Sequence, residues 1–266
     1  ALCGNAQKAA TAIKVSYLKS SHGKSEAVQD PIVVYANLLQ TVITTEKILN
    51  EKATFPYERS YLDRKSGFFF QSSELGGYKS TTTVDSTTIA KQTFEILEEY
   101  KMILGYKCQK AKTTINSNTI ELWYTNDLNI KAAPTSLGIN LGLVLEVTRN
   151  GNYTVAADKV EFLKSIPKDV LPVYKRSKMA DMLTYRDQVW RSQFITLHVF
   201  KNEVINFSDK VLVNDSVMRF AKGTIIARKI KIPATAAGIQ IFVDVTEQSN
   251  GDAYDRTGSV FIIPTG

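Results

Sequence analysis

The densest set of groups able to do chemistry lies near the end of the chain, in Asn250-Gly-Asp-Ala-Tyr-Asp-Arg-Thr-Gly258. Two carboxylates, a phenol and a guanidinium fall between Asp252 and Arg256. An ionised Asp255 can take a proton from water, which is general-base work, or accept a hydrogen bond from a sugar hydroxyl. Arg256 offers paired, permanently charged donors to a carbonyl oxygen or to the negative charge that develops on it. Tyr254 adds a flat apolar face against which a sugar ring can lie, and Asp252 adds a second acceptor for hydroxyls. The same residues also read as a polar hairpin turn between two apolar strands, with Asp255 and Arg256 forming an exposed pair. Spacing alone leaves both readings open, because loops at strand ends carry function often but not always.

Other candidates fall short. His22-Gly-Lys-Ser25 has the tail of a phosphate-binding loop, but Leu18 stands where that loop needs its first glycine. His22 and His198 are the only histidines and lie far apart in sequence, so a Ser-His-Asp arrangement or a histidine metal site lacks raw material. His198 falls in a strand pattern and is read as structural. The two cysteines, Cys3 and Cys108, are too few for a disulfide scaffold, and Cys108 is read as a small buried hydrophobe. No metal ligand set and no organic cofactor is expected. Asn152-Tyr-Thr154, Asn206-Phe-Ser208 and Asn214-Asp-Ser216 fit the glycosylation sequon, a motif short enough to arise by chance.

Composition bounds the rest. The chain has 266 residues, 44% of them hydrophobic and 22% charged, which is the balance of a globular protein with a proper core. The net charge of +7 is spread among acidic residues. Its densest basic run, Arg228-Lys-Ile-Lys231, interleaves charge with Ile230 and Ile232, as a strand with one wet face would. Nucleic-acid binders mass their charge into a patch or stripe, so that class is set aside. No apolar run reaches the length of a membrane span. Ala1-Leu-Cys-Gly-Asn-Ala-Gln7 reads as the tail of a signal peptide, with small residues Gly4 and Ala6 before a cleavage site, so export is expected.

Alternation dominates the elements that must position these groups. Ala12–Tyr17, Pro31–Tyr35 and Thr119–Tyr124 place apolar residues at every second position or in short β-branched runs. Gly76-Gly77, Asn116-Ser-Asn118 and Asn150-Gly-Asn152 punctuate them, the last joining Leu143–Val147 to Tyr153–Ala156 as a hairpin. Helices are expected around Glu95 to Lys101 and from Ser177 to Trp190, where Met179, Met182, Leu183 and Val189 recur at helical spacing as core residues. From Phe194 the strand pattern resumes through Phe194–Phe200, Thr224–Ile226, Lys229–Ile232, Gly238–Val245 and Gly258–Ile263. The fold class is therefore all-β. Residues 1–7 are read as the signal-peptide remnant, 8–165 as an antiparallel β domain, 166–192 as a linker with a short helix, and 193–266 as a second β domain. Its strands are too few for a closed sandwich, which takes about seven, so further polypeptide is expected to cover it.

Two stretches resemble known families. Gly223-Thr-Ile, Arg228-Lys-Ile-Lys-Ile-Pro233, Asp252-Ala-Tyr-Asp-Arg256 and Ser259-Val-Phe-Ile262 resemble the first part of the N-terminal jelly roll of the peptide-N-glycosidase F family. That family carries Asp-x-Trp-Asp-Arg at the equivalent turn, and Tyr254 replaces its tryptophan while keeping an aromatic face. The resemblance implies that Asp255 is the main catalytic carboxylate, that Arg256, Tyr254 and Asp252 contact substrate, and that 193–266 is an incomplete jelly roll. The family's cysteine pair before the motif is replaced by Thr246 and Gly251. Ile103–Ala111, Glu121–Thr125 and Leu137–Val147 are similar instead to the GLPGLI proteins of Bacteroidetes, whose naming motif survives in part as Ile139-Asn-Leu-Gly-Leu-Val144. This likeness implies an exported β domain, and some larger amidases of the first family carry an extra N-terminal β domain.

The resemblances imply an amidase acting on N-glycoproteins or glycopeptides at the asparagine–N-acetylglucosamine amide. It would be exported from a bacterium, either secreted or held in the periplasm or at the cell surface. They imply no cofactor, no nucleic acid and no membrane span. The remaining C-terminal part of the enzyme is the implied partner, in the same chain or as a second one. The alternative is a non-catalytic glycan- or protein-binding β module at the bacterial surface.

Overall fold

The computed structural model describes residues 11–26, 29–53, 55–76, 79–171, 178–199, 204–207, 216–219, 238–249 and 252–262, from 194 onward as backbone course and strand pairing. The chain divides into two units, one of residues 1–53 and 57–185, the other of 54–56 and 186–266.

In the first unit, β1 (Ala12–Ser21) and β2 (Lys24–Ser25) are followed by β3 (Ile32–Asn37) and β4 (Gln40–Thr45), then a one-turn helix α1 (Glu46–Leu49). A meander of β5 (Tyr57–Asp63), β6 (Phe68–Gly76) and β7 (Lys79–Asp85) comes next. A second meander contains β8 (Glu95–Ile103), β9 (Tyr106–Ile115), β10 (Asn118–Thr125), β11 (Leu143–Arg149) and β12 (Tyr153–Leu163). A short 3-10 turn at Lys168–Val170 precedes β13 (Lys178–Met179) and helix α2 (Met182–Arg191), within which the chain passes from the first unit to the second. The thirteen strands share one sheet in the order β13-β7-β6-β5-β4-β3-β1-β12-β11-β10-β9-β8, with β2 beside β1. Every ladder in it is antiparallel except β13 on β7. The all-β expectation holds.

Local chemistry explains the ladders. In β1, Ile13, Val15 and Tyr17 are fully buried at alternate positions, as the period of two demands. Three hairpins close through two-residue turns with both residues at positive φ: His22-Gly23, Leu104-Gly105 and Asn116-Ser117. Such turns match the right-handed twist of the flanking strands. His22-Gly-Lys-Ser25 is thus a hairpin tip. The expected hairpin at Asn150-Gly-Asn152 is also present, pairing Arg149 with Tyr153.

Two expectations are corrected. Glu95–Lys101, expected to be helical, is the outer strand β8, paired to β9 with an irregularity between Ile96 and Tyr100. Its Glu, Leu, Lys and Met content favours helix intrinsically, and pairing with β9 overrides that preference. The second helix forms, with the Asp181 carboxylate accepting from the Thr184 amide at 2.9 Å as its cap. Its buried residues are Tyr185 and Val189, while Met179 lies in β13 and, like Leu183, is exposed.

The sheet curls. Leu62 of β5 and Phe69 of β6 share a core cluster with Ala111, Leu122, Tyr124 and Val144 of β9, β10 and β11, which are several strands away in sheet order. Residues 126–142, between β10 and β11, fill the space inside: Ala133 and Ile139 join that cluster, and Ala132 joins a second one with Ile13, Val15, Tyr17 and Leu145. The Arg64 guanidinium holds this segment by donating to the carbonyls of Lys131 (2.5 Å) and Ile139 (3.2 Å) and to Asn140 Oδ1 (3.0 Å). Two glycines let it fit. Gly138 has φ +74° and lies where a Cβ would come 2.5 Å from a Leu122 methyl. At Gly142 a Cβ would meet the Thr125 carbonyl at 2.6 Å.

The second unit contains β14 (Phe194–Val199), β15 (Val204–Phe207), β16 (Ser216–Arg219), β17 (Gly238–Ser249) and β18 (Asp252–Ile262). β14 runs parallel to β17, which pairs antiparallel with β18, while β15 and β16 pair separately. The expected strands at Thr224–Ile226 and Lys229–Ile232, and the remnant at 1–7, lie outside the described residues.

Gly142→Ala should lower the unfolding free energy by about 1–3 kcal/mol, because the obstacle is backbone and cannot swing away. Chemical denaturation checks this, and an unchanged midpoint contradicts the close approach.

Candidate functional site

Asp252, Tyr254, Asp255 and Arg256 all lie on β18, in register with Ser249, Glu247, Thr246 and Val245 of β17. This corrects the expected turn: residues 252–258 are strand, and only 250–251 separate β17 from β18. The ladder with β17 overrides the turn preference of the aspartates in this stretch. Among the described residues, β18 is the outer strand of its sheet. Thr246, which stands at one of the two positions where the resembled family has cysteine, is the register partner of Asp255.

The first unit holds a second gathering of charge and aromatic surface, on β8 to β11. The Lys110 ammonium lies 3.2 Å from Glu99 and 3.0 Å from Glu121, and Lys101 lies 2.7 Å from Glu146. Both lysines sit over the Trp123 ring, at 4.5 Å for Lys101 and 5.6 Å for Lys110. The Glu121 hydrogen bond, followed by burial working against it and then by Glu99, holds the Lys110 ammonium above its ordinary pKa. These charges are already paired with each other, and the cluster is a cross-strand tie. Cys108 is fully buried and its thiol is pushed up to about 11 by burial, which makes it inert packing, as the sequence reading expected. Among the described residues no group of His, Cys, Asp and Glu is placed to hold a metal ion, and no helix is long and apolar enough to cross a membrane.

Against known proteins, residues 15–187 match the family model described as N-glycanase peptide, N-terminal domain. Residues 196–266 match the model described as Peptide-N-glycosidase F, N terminal. Among solved structures, PNGF-II in the C2 space group is 42% identical with a TM-score of 0.69, over 91% of this chain and 44% of that one. PNGF-II in the P21 space group is 43% identical with a TM-score of 0.70, over 92% of this chain and 46% of that one. The chain belongs to the peptide-N-glycosidase F family. It spans less than half the length of those solved proteins. No curated protein matches it. The N-terminal match is to an N-glycanase domain. The sequence reading identified the family from the last seventy or so residues, whereas the longer match covers the region before them.

A lysine whose folded pKa is raised adds stability in full below its unfolded pKa, and that stability is lost as pH rises through the folded value. Lys110→Met should therefore cost less than about 1 kcal/mol near neutral pH, since these carboxylates are partly exposed. The difference from wild type should vanish in strongly alkaline solution. Thermal melts across pH check this, and a gap that persists unchanged through the alkaline range contradicts it.

Proposed function

We propose that this chain is the N-terminal portion of an exported peptide-N4-(N-acetyl-β-glucosaminyl)asparagine amidase. The observation that carries the reading is the match of residues 196–266 to an N-glycosidase N-terminal model that includes Asp252-Ala-Tyr-Asp-Arg256 on β18. The N-glycanase match across residues 15–187 supports it from the other unit.

In this reading Asp255 takes a proton from water as the water oxygen bonds to the asparagine side-chain carbonyl carbon. Arg256 donates to the carbonyl oxygen as negative charge gathers there. The carbon–nitrogen bond then breaks, the nitrogen leaves with a proton as a glycosylamine, and the peptide keeps an aspartate. Tyr254 lies against the first sugar ring and Asp252 accepts from its hydroxyls. Further acidic groups come from polypeptide beyond this chain, as a continuation or a second chain, and the signal-like Ala1–Gln7 supports secretion or a periplasmic or surface location.

In the complete protein, Asp255→Asn should lower kcat for release of an N-glycan from a glycopeptide by about 10²–10⁴-fold, with the fold intact by circular dichroism. Turnover at the wild-type rate would remove Asp255 from the role. Tyr254→Ala should instead act mainly on KM, and Tyr254→Trp should preserve it.

A further inference from the structure

An open cavity of about 450 Å³ lies where β8 begins and β9 ends, lined by Thr93, Phe94, Glu95, Lys112, Thr113 and Thr114. Small-molecule sites range over roughly 300–1,000 Å³, so its size suits a compact ligand. Phe94 is half-buried and packs on the core cluster that contains Leu122 and Ile139, which fixes the ring in place as part of the wall. Glu95 and Lys112 are register partners across β8 and β9. Directly opposed opposite charges in an antiparallel ladder are close enough to pair. Here no ion pair joins them, and among the described residues neither they nor Thr93, Thr113 and Thr114 have a side-chain hydrogen-bond or ion-pair partner. Lys110, one strand period along β9, shows the contrast, since it is drawn onto both Glu99 and Glu121.

The hollow is therefore bordered by an acceptor, an ammonium donor, three hydroxyls and the Phe94 side chain. An anion entering it would meet Glu95 and a cation would meet Lys112, so a ligand of single charge gains on one side what it loses on the other. A neutral molecule rich in hydroxyls has no such conflict. Each hydroxyl both donates and accepts, so neighbouring hydroxyls can accept from Lys112 and donate to Glu95 at the same time. The carbon–hydrogen face of such a ring can lie against Phe94. These are the properties of a pyranose ring.

We propose that this cavity binds a neutral sugar ring, giving the N-terminal unit its own hold on a glycan. That the glycan belongs to the amidase's substrate rests on the function proposed above, whereas the sugar binding does not.

The test uses the complete protein with two probes that carry no asparagine amide, a released neutral N-glycan and methyl α-mannopyranoside. Binding is followed by saturation-transfer NMR and equilibrium dialysis. Wild type should bind saturably, and Glu95→Ala with Lys112→Ala should weaken binding by about tenfold or more at unchanged melting temperature. Phe94→Leu, which keeps the core filled but loses the flat face, should weaken it similarly. Lost sugar binding with undiminished cleavage of a short glycopeptide would support this site separately from Asp255. No saturable binding to wild type, or full affinity in the double variant, would overturn the proposal.

Discussion

Residues 126–142 leave the sheet after β10 and return to it at β11, and the first unit takes its shape from what that excursion buries. A loop inside a protein must find partners for its backbone, since unpaired carbonyls and amides away from water are costly. Arg64 serves two of those carbonyls and the Asn140 side chain. The Ala132 amide donates to the Gly142 carbonyl and the Val144 amide donates to the Ala132 carbonyl, tying the loop back onto its own ends. With those carbonyls and amides paired, Ala132, Ala133 and Ile139 are fully buried against strands from both ends of the sheet. The curl of the sheet is the geometric consequence.

That arrangement also sets where charge can gather. Strands β9 and β10 bury Ala111, Ile120, Leu122 and Tyr124 in the cluster that holds Ile139. Trp123, Glu121 and Lys110 take the intervening positions and knit β8 through β11 together. Where β8 starts, that knitting stops, and Glu95 and Lys112 oppose each other at the cavity without an ion pair.

Much of the fold was legible in the amino-acid pattern because it obeys short-range rules. Alternation in β1 and β10, the short apolar run of β3 and the Asn-Gly tip at Asn150 follow from the pleat, from burial of both faces of a strand and from left-handed turn geometry. Gly142 stood out in Ile139-Asn-Leu-Gly-Leu-Val144 through its resemblance to a family motif, but the reason for Gly138 and Gly142, close approach of Leu122 and Thr125, needed the tertiary structure. The strand at Glu95–Ile103 was illegible because its residues favour helix when taken alone, and only β9 as neighbour decides the matter. The candidate carboxylate and guanidinium were singled out by type and spacing, yet the same polarity that marked them suggested a turn in place of β18. The cavity at Phe94 left no trace in the sequence, since it depends on two strand ends meeting.

In the proposed reading the complete protein cleaves the amide between asparagine and the first sugar by bringing in water. That reading is tested most directly by digesting a defined N-glycopeptide in heavy-oxygen water and analysing the peptide by mass spectrometry. The account predicts that the glycosylated asparagine becomes an aspartate carrying one heavy oxygen atom, with the whole glycan released. An asparagine still bearing its first sugar, or a peptide with its glycan untouched, would contradict it.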